Sequence, residues 1–516
     1  MKLRELITGE GAARVNGDPG VEITGLAYDS RKVRPGDLFF STARGAAQSR
    51  ANVADALNRG ARALVVREGD EVDARPAVTV VESGHLRPLM GLAASRFFGA
   101  PSRHIDLIGV TGTSGKTTTT YLLSSIFEAA GRPSGIIGTI GIFAAGQKLY
   151  SGLTTPESID FEAALAAMER AGVRAVAAEI SSIGLEERRV DELNFRACVF
   201  TNLARDHLDY HGTVEKYFAA KLRLFTEILP RSSSGDAIAV VHGGDPYGRR
   251  VLEAVRGRKL SFGLDPACDV HPVTYSTGLD GIRASVIAGG RSFEIRSPLL
   301  GRINLLNILG ACAVSAALGI EGDAVVEGVR RCPGAPGRLE AVAGPAGVKV
   351  LVDYAHKPDA LLAVLETLRE LRPRRLLCVF GCGGDRDRGK RPIMGEIAGR
   401  IADLPILTSD NPRSEDPLRI VAEVEAGLRA TALKRIEPNA APAAAGYLVE
   451  PDRRAAIAMA LRIAAAGDIV LIAGKGHEDY QLVAGRRLDF DDRKVVRELT
   501  TAVYAMGSER PPGTAN

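Results

Sequence analysis

Short apolar runs, each closing on a polar cluster, recur along the whole chain, and the segments between them repeat apolar positions at helical spacing. Continuous apolar runs of this length suit strands buried on both faces of a parallel sheet, with the intervening segments as the covering helices. Residues 105–110, 173–179, 197–202, 348–353, 375–380, 404–408 and 468–473 are the clearest such strands. The pattern predicts an α/β protein of three domains: a small N-terminal α/β domain over 1–103, a central parallel-sheet domain over 104–335, and a C-terminal Rossmann-like α/β domain over 336–505. The Pro/Gly-containing stretch 506–516 reads as a disordered tail, and Cys332-Pro333-Gly334-Ala335-Pro336-Gly337 as a hinge.

Within the first domain, 21–26 reads as a strand running into Asp29-Ser30-Arg31, followed by a turn at Pro35-Gly36-Asp37 and β-like runs at 38–40, 61–66 and 77–81. Ser30 and Arg31 offer donors to a polar ligand, although the same triplet suits an ordinary turn. Farther on, 214–229 predicts a helix with Tyr217, Lys221, Leu224 and Ile228 on one stripe. A lysine on an apolar stripe either snorkels to water or sits in a site with its charge altered. The segment 231–300 reads as β-rich, and a helix follows to about 318, with Asn304 and Asn307 on one face near its start. These asparagines suit base contacts or capping.

The chemistry concentrates at strand ends. Strand 105–110 runs into Thr111-Gly112-Thr113-Ser114-Gly115-Lys116-Thr117, and an apolar helix-like segment follows. Such a strand–loop–helix cradles phosphate oxygens on backbone N–H groups, with Lys116 reaching the β/γ-phosphates and the Thr117 hydroxyl placed for Mg²⁺. Val110 stands where the strict P-loop pattern has its first glycine. Glu179, Asn202 and His207 follow neighbouring strands and could converge on the same edge, where a carboxylate, an imidazole and a hydroxyl suit a divalent ion held with nucleotide phosphates. In the last domain four clusters stand at strand ends: Asp353-Tyr354-Ala355-His356, Gly383-Gly384-Asp385-Arg386-Asp387, Ser409-Asp410-Asn411-Pro412-Arg413 and Gly474-Lys475-Gly476-His477-Glu478. Together they predict a polar rim around one crevice.

Composition narrows the classes. Lys+Arg number 66 against 62 Asp+Glu, a formal balance of +4, so no general electrostatic case for nucleic acid exists. The six cysteines include no CxxC pair, which favours free thiols in a reducing cytoplasm. The first residues lack the apolar core of a signal peptide, and no segment reaches the ~18 apolar residues of a membrane span. A cytoplasmic protein is expected.

These motifs, in this order, resemble the Mur ligases, and within them the UDP-MurNAc-tripeptide synthetases. The resemblance implies an ATP-dependent amide ligase of peptidoglycan synthesis that joins meso-diaminopimelate to UDP-MurNAc-L-Ala-D-Glu through an acyl phosphate, working as a monomer. By the resemblance Ser30 lies at the UDP entry, while Thr154, Thr155, Ser181 and Arg189 hold the UDP-linked dipeptide. Gly112, Thr113, Ser114, Gly115, Lys116 and Thr117 form the ATP loop, and Asn304, Asn307, Arg338 and His356 face the nucleotide. Lys116, Glu179, His207 and Lys221 are the implied catalytic set; Thr117, Glu179, His207 and a carbamylated Lys221 hold Mg²⁺. Asp410, Asn411 and Arg413, with Arg386, Gly474 and Glu478, make the diaminopimelate pocket. Arg413 can pair bidentately with the carboxylate that distinguishes diaminopimelate from lysine, and Glu478 can accept from the distal ammonium. Departures from the family pattern are Ser114 for the usual Asn, Ile183 for a His after the paired serines, Glu187 for a Gln in some members, and Gln48-Ser49-Arg50-Ala51-Asn52 in the first domain. A folylpolyglutamate-type or other amino-acid ligase, and a non-catalytic ATP-binding paralogue, are the alternatives.

Overall fold

The computed structural model describes residues 1–8, 14–73, 77–144, 147–150, 152–233, 235–437 and 445–507. Most of the expected tail, 508–516, lies outside them. The chain divides into two compact units: Met1–Thr274 with Ser285–Ile295 and Leu306–Arg331, and Tyr275–Ala284 with Arg296–Leu305 and Cys332–Asn516.

Two sheets lie wholly within the first unit. A five-stranded sheet runs in the order Arg14–Asn16, Thr79–Ser83, Ala63–Arg67, Asp37–Phe40, Gly25–Ala27, parallel except for its first edge. The strand expected over 21–26 is confined to Gly25–Ala27, because the N-terminal segment takes the preceding backbone: Leu3 N–H donates to Val21 and Ile23 N–H to Met1. Val21 and Ile23 are buried all the same, so their apolar character marks packing without a ladder. The Asp29-Ser30-Arg31 turn is a 3₁₀ turn, Ser30–Lys32, capped by the Asp29 carboxylate on Arg31 N–H.

The eight-stranded sheet centres on Asp106–Thr111, with Ala175–Glu179 on one side and Ala197–Phe200 on the other, all parallel. Leu107, Ile108, Val110 and the whole of Ala197–Phe200 are buried, as a strand covered on both faces requires. Beyond Ala175–Glu179 the sheet continues through Ser134–Gly138 into two antiparallel strands, Gly141–Ala144 and Gln147–Tyr150. On the other side it reaches Ile238–His242 and Arg258–Phe262. A helix, Pro246–Ala254, interrupts the stretch expected to be β-rich. Its start is the Gly243-Gly244-Asp245-Pro246 turn signal: Asp245 accepts from Tyr247 and Gly248 N–H, and Pro246 takes a first-turn position that needs no donor. The helix expected over 214–229 is Val214–Arg223, capped by Thr213, and then widens into a π turn, Leu224–Ile228.

The second unit holds a six-stranded sheet ordered Glu340–Val342, Lys349–Asp353, Ile469–Ala473, Leu376–Phe380, Leu404–Leu407, Leu448–Val449. Every pairing but the first is parallel. Four of these strands end in the four polar clusters, which therefore share one sheet edge. A hairpin, Tyr480–Val483 with Arg486–Asp489, follows the last cluster and bridges to Arg413 through Val483.

Candidate active site

The phosphate loop is fixed from the neighbouring strand. Gly112 has φ +147°, and a Cβ there would meet the Thr201 hydroxyl at 1.9 Å, so only glycine fits. Thr201 Oγ1 donates to the Ser114 carbonyl (2.6 Å), Asn202 Oδ1 accepts from Ser114 N–H (3.0 Å), and the Asn202 carbonyl accepts from Thr113 N–H (3.0 Å). Thr113 Oγ1 lies 3.1 Å from the Tyr217 hydroxyl. Gly115, at φ +87°, opens helix Lys116–Ala129, and a Cβ on it would meet Asn307 Oδ1 at 2.4 Å, which puts Asn307 against the loop. Lys116 Nζ folds back onto the Gly112 and Thr113 carbonyls (2.8 and 3.0 Å), and Thr117 is buried beside it.

Lys221 does not snorkel. It is 1% exposed, and its Nζ donates to the Gly112 carbonyl (3.0 Å) and approaches Thr111 Oγ1 (3.4 Å), lying 4.6 Å from the Tyr217 ring centre. Burial pushes its pKa well below the ordinary lysine value, the Lys116 charge adds to this, and Asp206 opposes it. Burial also raises the Tyr217 phenol to about 12. His207 sits at φ +53°, 3.5 Å from Asp206 by Nε2, with its side chain 40% exposed.

Glu179 ends the adjacent strand and is 1% exposed, its carboxylate accepting from Thr139 N–H (2.9 Å) and Thr139 Oγ1 (3.1 Å). Thr139 Oγ1 is 3.0 Å from Thr154 Oγ1, which brings Thr154 to this carboxylate. Thr155 Oγ1 donates to the Glu179 carbonyl and accepts from Ser181 N–H (both 2.9 Å), while Arg189 donates to the Thr155 carbonyl (3.1 Å) and pairs with Glu157. The expected substrate-holding residues Thr154, Thr155, Ser181 and Arg189 thus form one hydrogen-bonded group. Ser30 is 8% exposed, and its hydroxyl engages Asp55. At the Ile183 departure an imidazole does reach the paired serines, but from His211, whose Nε2 is 2.9 Å from Ser182 Oγ. Glu187 gathers Arg44, Arg87 and Tyr210; burial favours its neutral form, but these three partners outweigh it and lower its pKa. Among the described residues no three His, Cys, Asp or Glu side chains gather as a ready metal cage.

In the second unit, Asp353 accepts from Leu339 and Ala355 N–H, and burial raises its pKa against the Arg338 charge. Arg338 lies over the Tyr354 ring, His356 Nδ1 is bonded to the Tyr354 carbonyl (2.7 Å), and burial lowers the His356 pKa. Asn304 turns its amide to the Leu300 carbonyl of its own helix (2.8 Å). Asp410 and Asn411 are buried at the end of Leu404–Leu407. Asn411 Nδ2 donates to Glu478 Oε2 (2.9 Å), and a Cβ on Gly474 would touch the Asp410 carboxylate at 3.6 Å. Burial raises the Glu478 pKa, Asp410 adds to this, and Asn411 opposes it. Arg413 has φ +55°, held by its N–H on the Leu482 carbonyl (2.8 Å) and its guanidinium on the Gly384 carbonyl (2.7 Å). Arg386 is exposed on the adjoining loop.

Two family profiles match the chain: "Mur ligase middle domain" over residues 110–315 and "Mur ligase, glutamate ligase domain" over 337–476. A UDP-N-acetylmuramoyl-L-alanyl-D-glutamate--2,6-diaminopimelate ligase of Solibacter usitatus is 44% identical over 478 residues, 93% of each chain. One of the same name from Geobacter metallireducens is 42% identical over 97% of this chain and 99% of its own. The chain belongs to the Mur ligase family. A solved structure titled as the same ligase superposes with a TM-score of 0.69 at 33% identity, covering 98% of this chain and 99% of the other.

Two groups in this Mur ligase were not singled out as site residues in the sequence. Thr139 orients Glu179 from a neighbouring loop, and nothing in its local sequence marks it. Lys475 belongs to a recognised cluster, yet it is 0% exposed and bonded to Asn411 Oδ1, so it lies buried beneath the cluster where a rim residue was expected.

Proposed function

We infer that this Mur ligase is an ATP-dependent acid–amino-acid ligase that joins 2,6-diaminopimelate to UDP-MurNAc-L-Ala-D-Glu, forming ADP, in peptidoglycan precursor synthesis. Identity of 42–44% with ligases of that name, over nearly the full length of both chains, carries the reading.

The chemistry follows from a carboxylate that must become electrophilic. Its oxygen attacks the ATP γ-phosphorus, the β–γ bridge bond breaks, and ADP leaves. The amine of diaminopimelate then attacks the acyl carbon, loses a proton, and expels phosphate. In this reading the N–H groups of the 112–117 loop cradle the phosphates, and Lys116 exchanges its carbonyl partners for phosphoryl oxygens, stabilising charge as it builds there. Thr154, Thr155, Ser181 and Arg189 hold the UDP-linked dipeptide, with Ser30 at its UDP end. Asn304, Asn307, Arg338 and His356 serve the nucleotide. The pocket of Arg386, Asp410, Asn411, Arg413, Gly474 and Glu478 takes the amino acid; we read it as the meso isomer, with Arg413 on the distal carboxylate and Glu478 on the distal ammonium.

Mg²⁺ is the expected companion of the phosphates. Thr117, Glu179 and His207 would supply the donors, and they suit an ion that binds through one or two carboxylates plus substrate phosphates and keeps several waters. When bound, such an ion would offset negative charge on the transferring phosphoryl group. Lys221, whose pKa burial pushes well below the ordinary lysine value, is the amine we assign to carbamylation, which would add a fixed anionic oxygen donor beside the loop.

No helix among the described residues is long and apolar enough to cross a membrane. We assign the enzyme to the cytoplasm, as a monomer. The decisive test is phosphate release from ATP with each substrate omitted in turn. Release that requires both UDP-MurNAc-L-Ala-D-Glu and diaminopimelate is expected; equal release with L-glutamate in place of diaminopimelate would overturn the assignment.

A further inference from the structure

A lysine with no solvent exposure is costly unless its ammonium finds several acceptors, so a buried lysine beside a binding crevice needs a reason. Lys475 Nζ donates to Asn411 Oδ1 (2.9 Å) and to the Tyr480 carbonyl (2.7 Å), and lies 3.5 Å from Asp410 and 3.9 Å from Glu478. Leu482 N–H donates to the same Asn411 oxygen (2.9 Å). Two donors on Oδ1 leave the Asn411 amide one orientation. With its oxygen committed, Nδ2 turns to the other side and donates to Glu478 Oε2 (2.9 Å). The chain of contacts therefore runs from a buried cation, through one amide, to the carboxylate that lines the amino-acid pocket.

We propose that Lys475 is a positioning residue for amino-acid recognition: it locks the Asn411 amide so that Glu478 presents a fixed carboxylate to the ammonium at the far end of the incoming diamino acid. It also sets the charge balance. Asp410 and Glu478 put two carboxylates in one buried crevice, and the Lys475 ammonium offsets one of them. What remains facing the pocket is one anionic site at Glu478 and one cationic site at Arg413, the complement of an amino acid's ammonium and carboxylate. Lys475 itself does not touch the substrate in this arrangement, because it has no exposed surface and its Nζ is engaged by Asn411, the Tyr480 carbonyl and the two carboxylates.

The inference rests on the amino-acid pocket assigned above, and the test separates the two. Wild-type enzyme is assayed first for diaminopimelate-dependent phosphate release; its absence overturns the pocket assignment and the inference together. With that activity present, Lys475→Met keeps the unbranched side chain and removes the cation. The KM for diaminopimelate should rise about tenfold or more, as expected for losing a bond chain that ends on a charged group, while the KM for ATP and for the UDP-linked dipeptide stays within about twofold. Because part of the action of Lys475 runs through Asn411, the double variant Lys475→Met/Asn411→Ala should raise the diaminopimelate KM by clearly less than the product of the two single effects. An unchanged diaminopimelate KM, an equal rise in all three KM values, or multiplying effects in the double variant would overturn the proposal and leave the pocket assignment intact. Melting curves establish that each variant is folded; if Lys475→Met is not, the same comparison is made with Lys475→Gln, whose amide is too short to reach both acceptors.

Discussion

Lys116 and Lys221 direct their ammonium nitrogens at one backbone oxygen, the Gly112 carbonyl, at 2.8 and 3.0 Å. Burial, and after it the Lys116 charge at the same acceptor, push the Lys221 pKa well below the ordinary lysine value. A neutral amine can attack CO₂, lose a proton and become a carbamate. That change turns an amine beside Lys116 into an anionic partner for Lys116 and for a divalent ion. Lys221→Ala is therefore expected to lower ligation at least about 100-fold, and short carboxylic acids that fit the vacated space should restore part of it. Lys116→Ala should lose comparable activity with no such rescue. Steady-state rates with and without added acetate or propionate check both, and near-normal turnover of Lys221→Ala without them would refute the carbamate.

Arg413 commits one guanidinium nitrogen to Gly384 while its backbone is pinned at φ +55° by Leu482. Its remaining donors are presented as a preset fork. Arg413→Ala should raise the KM for diaminopimelate about 10- to 100-fold and leave that for ATP nearly unchanged, the loss expected for a charge-assisted pair. Arg413→Lys should not restore it, since a single ammonium cannot reproduce the fork. An unchanged diaminopimelate KM in either variant would remove Arg413 from the pocket.

The strand-end clusters could be located from sequence because a buried parallel strand must be apolar throughout and must stop where it meets water. By that rule Glu179, Asp353, Asp410 and Gly474 stand out in the sequence itself. What the rule cannot supply is which polar residue turns inward. Lys475 lies within a cluster of polar neighbours, and its burial follows from the hairpin that covers it. That hairpin turns at Ala484 and Gly485, both at positive φ, with alanine where asparagine or aspartate usually signals such a turn. The Pro246–Ala254 helix was hidden in the same way, by an Asp-Pro pair that serves turns and helix starts alike. The Glu179–Thr139 and Arg453–Asp492 contacts join residues 40 and 39 positions apart, and nothing local announces them.

Glu162, on helix Ser158–Arg170, is 1% exposed, and burial lifts its pKa to about 8, with Ser95 and Arg103 opposing and Glu192 adding. The folded protein therefore holds a proton on Glu162 that the unfolded chain has released above about pH 4.5. Unfolding releases that proton, so this residue's contribution to stability is fully present below about pH 4.5 and declines as pH rises toward about 8. Glu162→Gln keeps the shape and removes the titration. Its melting temperature should overtake that of the wild type as pH rises through this window, and parallel melting curves across the window would contradict the buried neutral carboxyl.

Arg453 and Asp492 form a bidentate pair (2.8 and 2.7 Å) with neither side chain exposed. The same guanidinium donates to the Ala473 carbonyl (3.0 Å) and approaches that of Ser409 (3.4 Å), the residues immediately before Gly474 and Asp410. One buried ion pair therefore fastens two strand ends that lead into the proposed amino-acid pocket. Removing the cation alone leaves Asp492 buried and unpaired, so Arg453→Met should cost about 3–5 kcal/mol of stability, whereas Arg453→Met/Asp492→Leu should recover much of it. The pocket should not recover with the stability, because the double variant still lacks the donors on Ala473 and Ser409. Calorimetry and the diaminopimelate KM measured on the same samples separate the two roles. A double variant that regains both stability and KM would show that the pair serves packing and has no part in shaping the pocket.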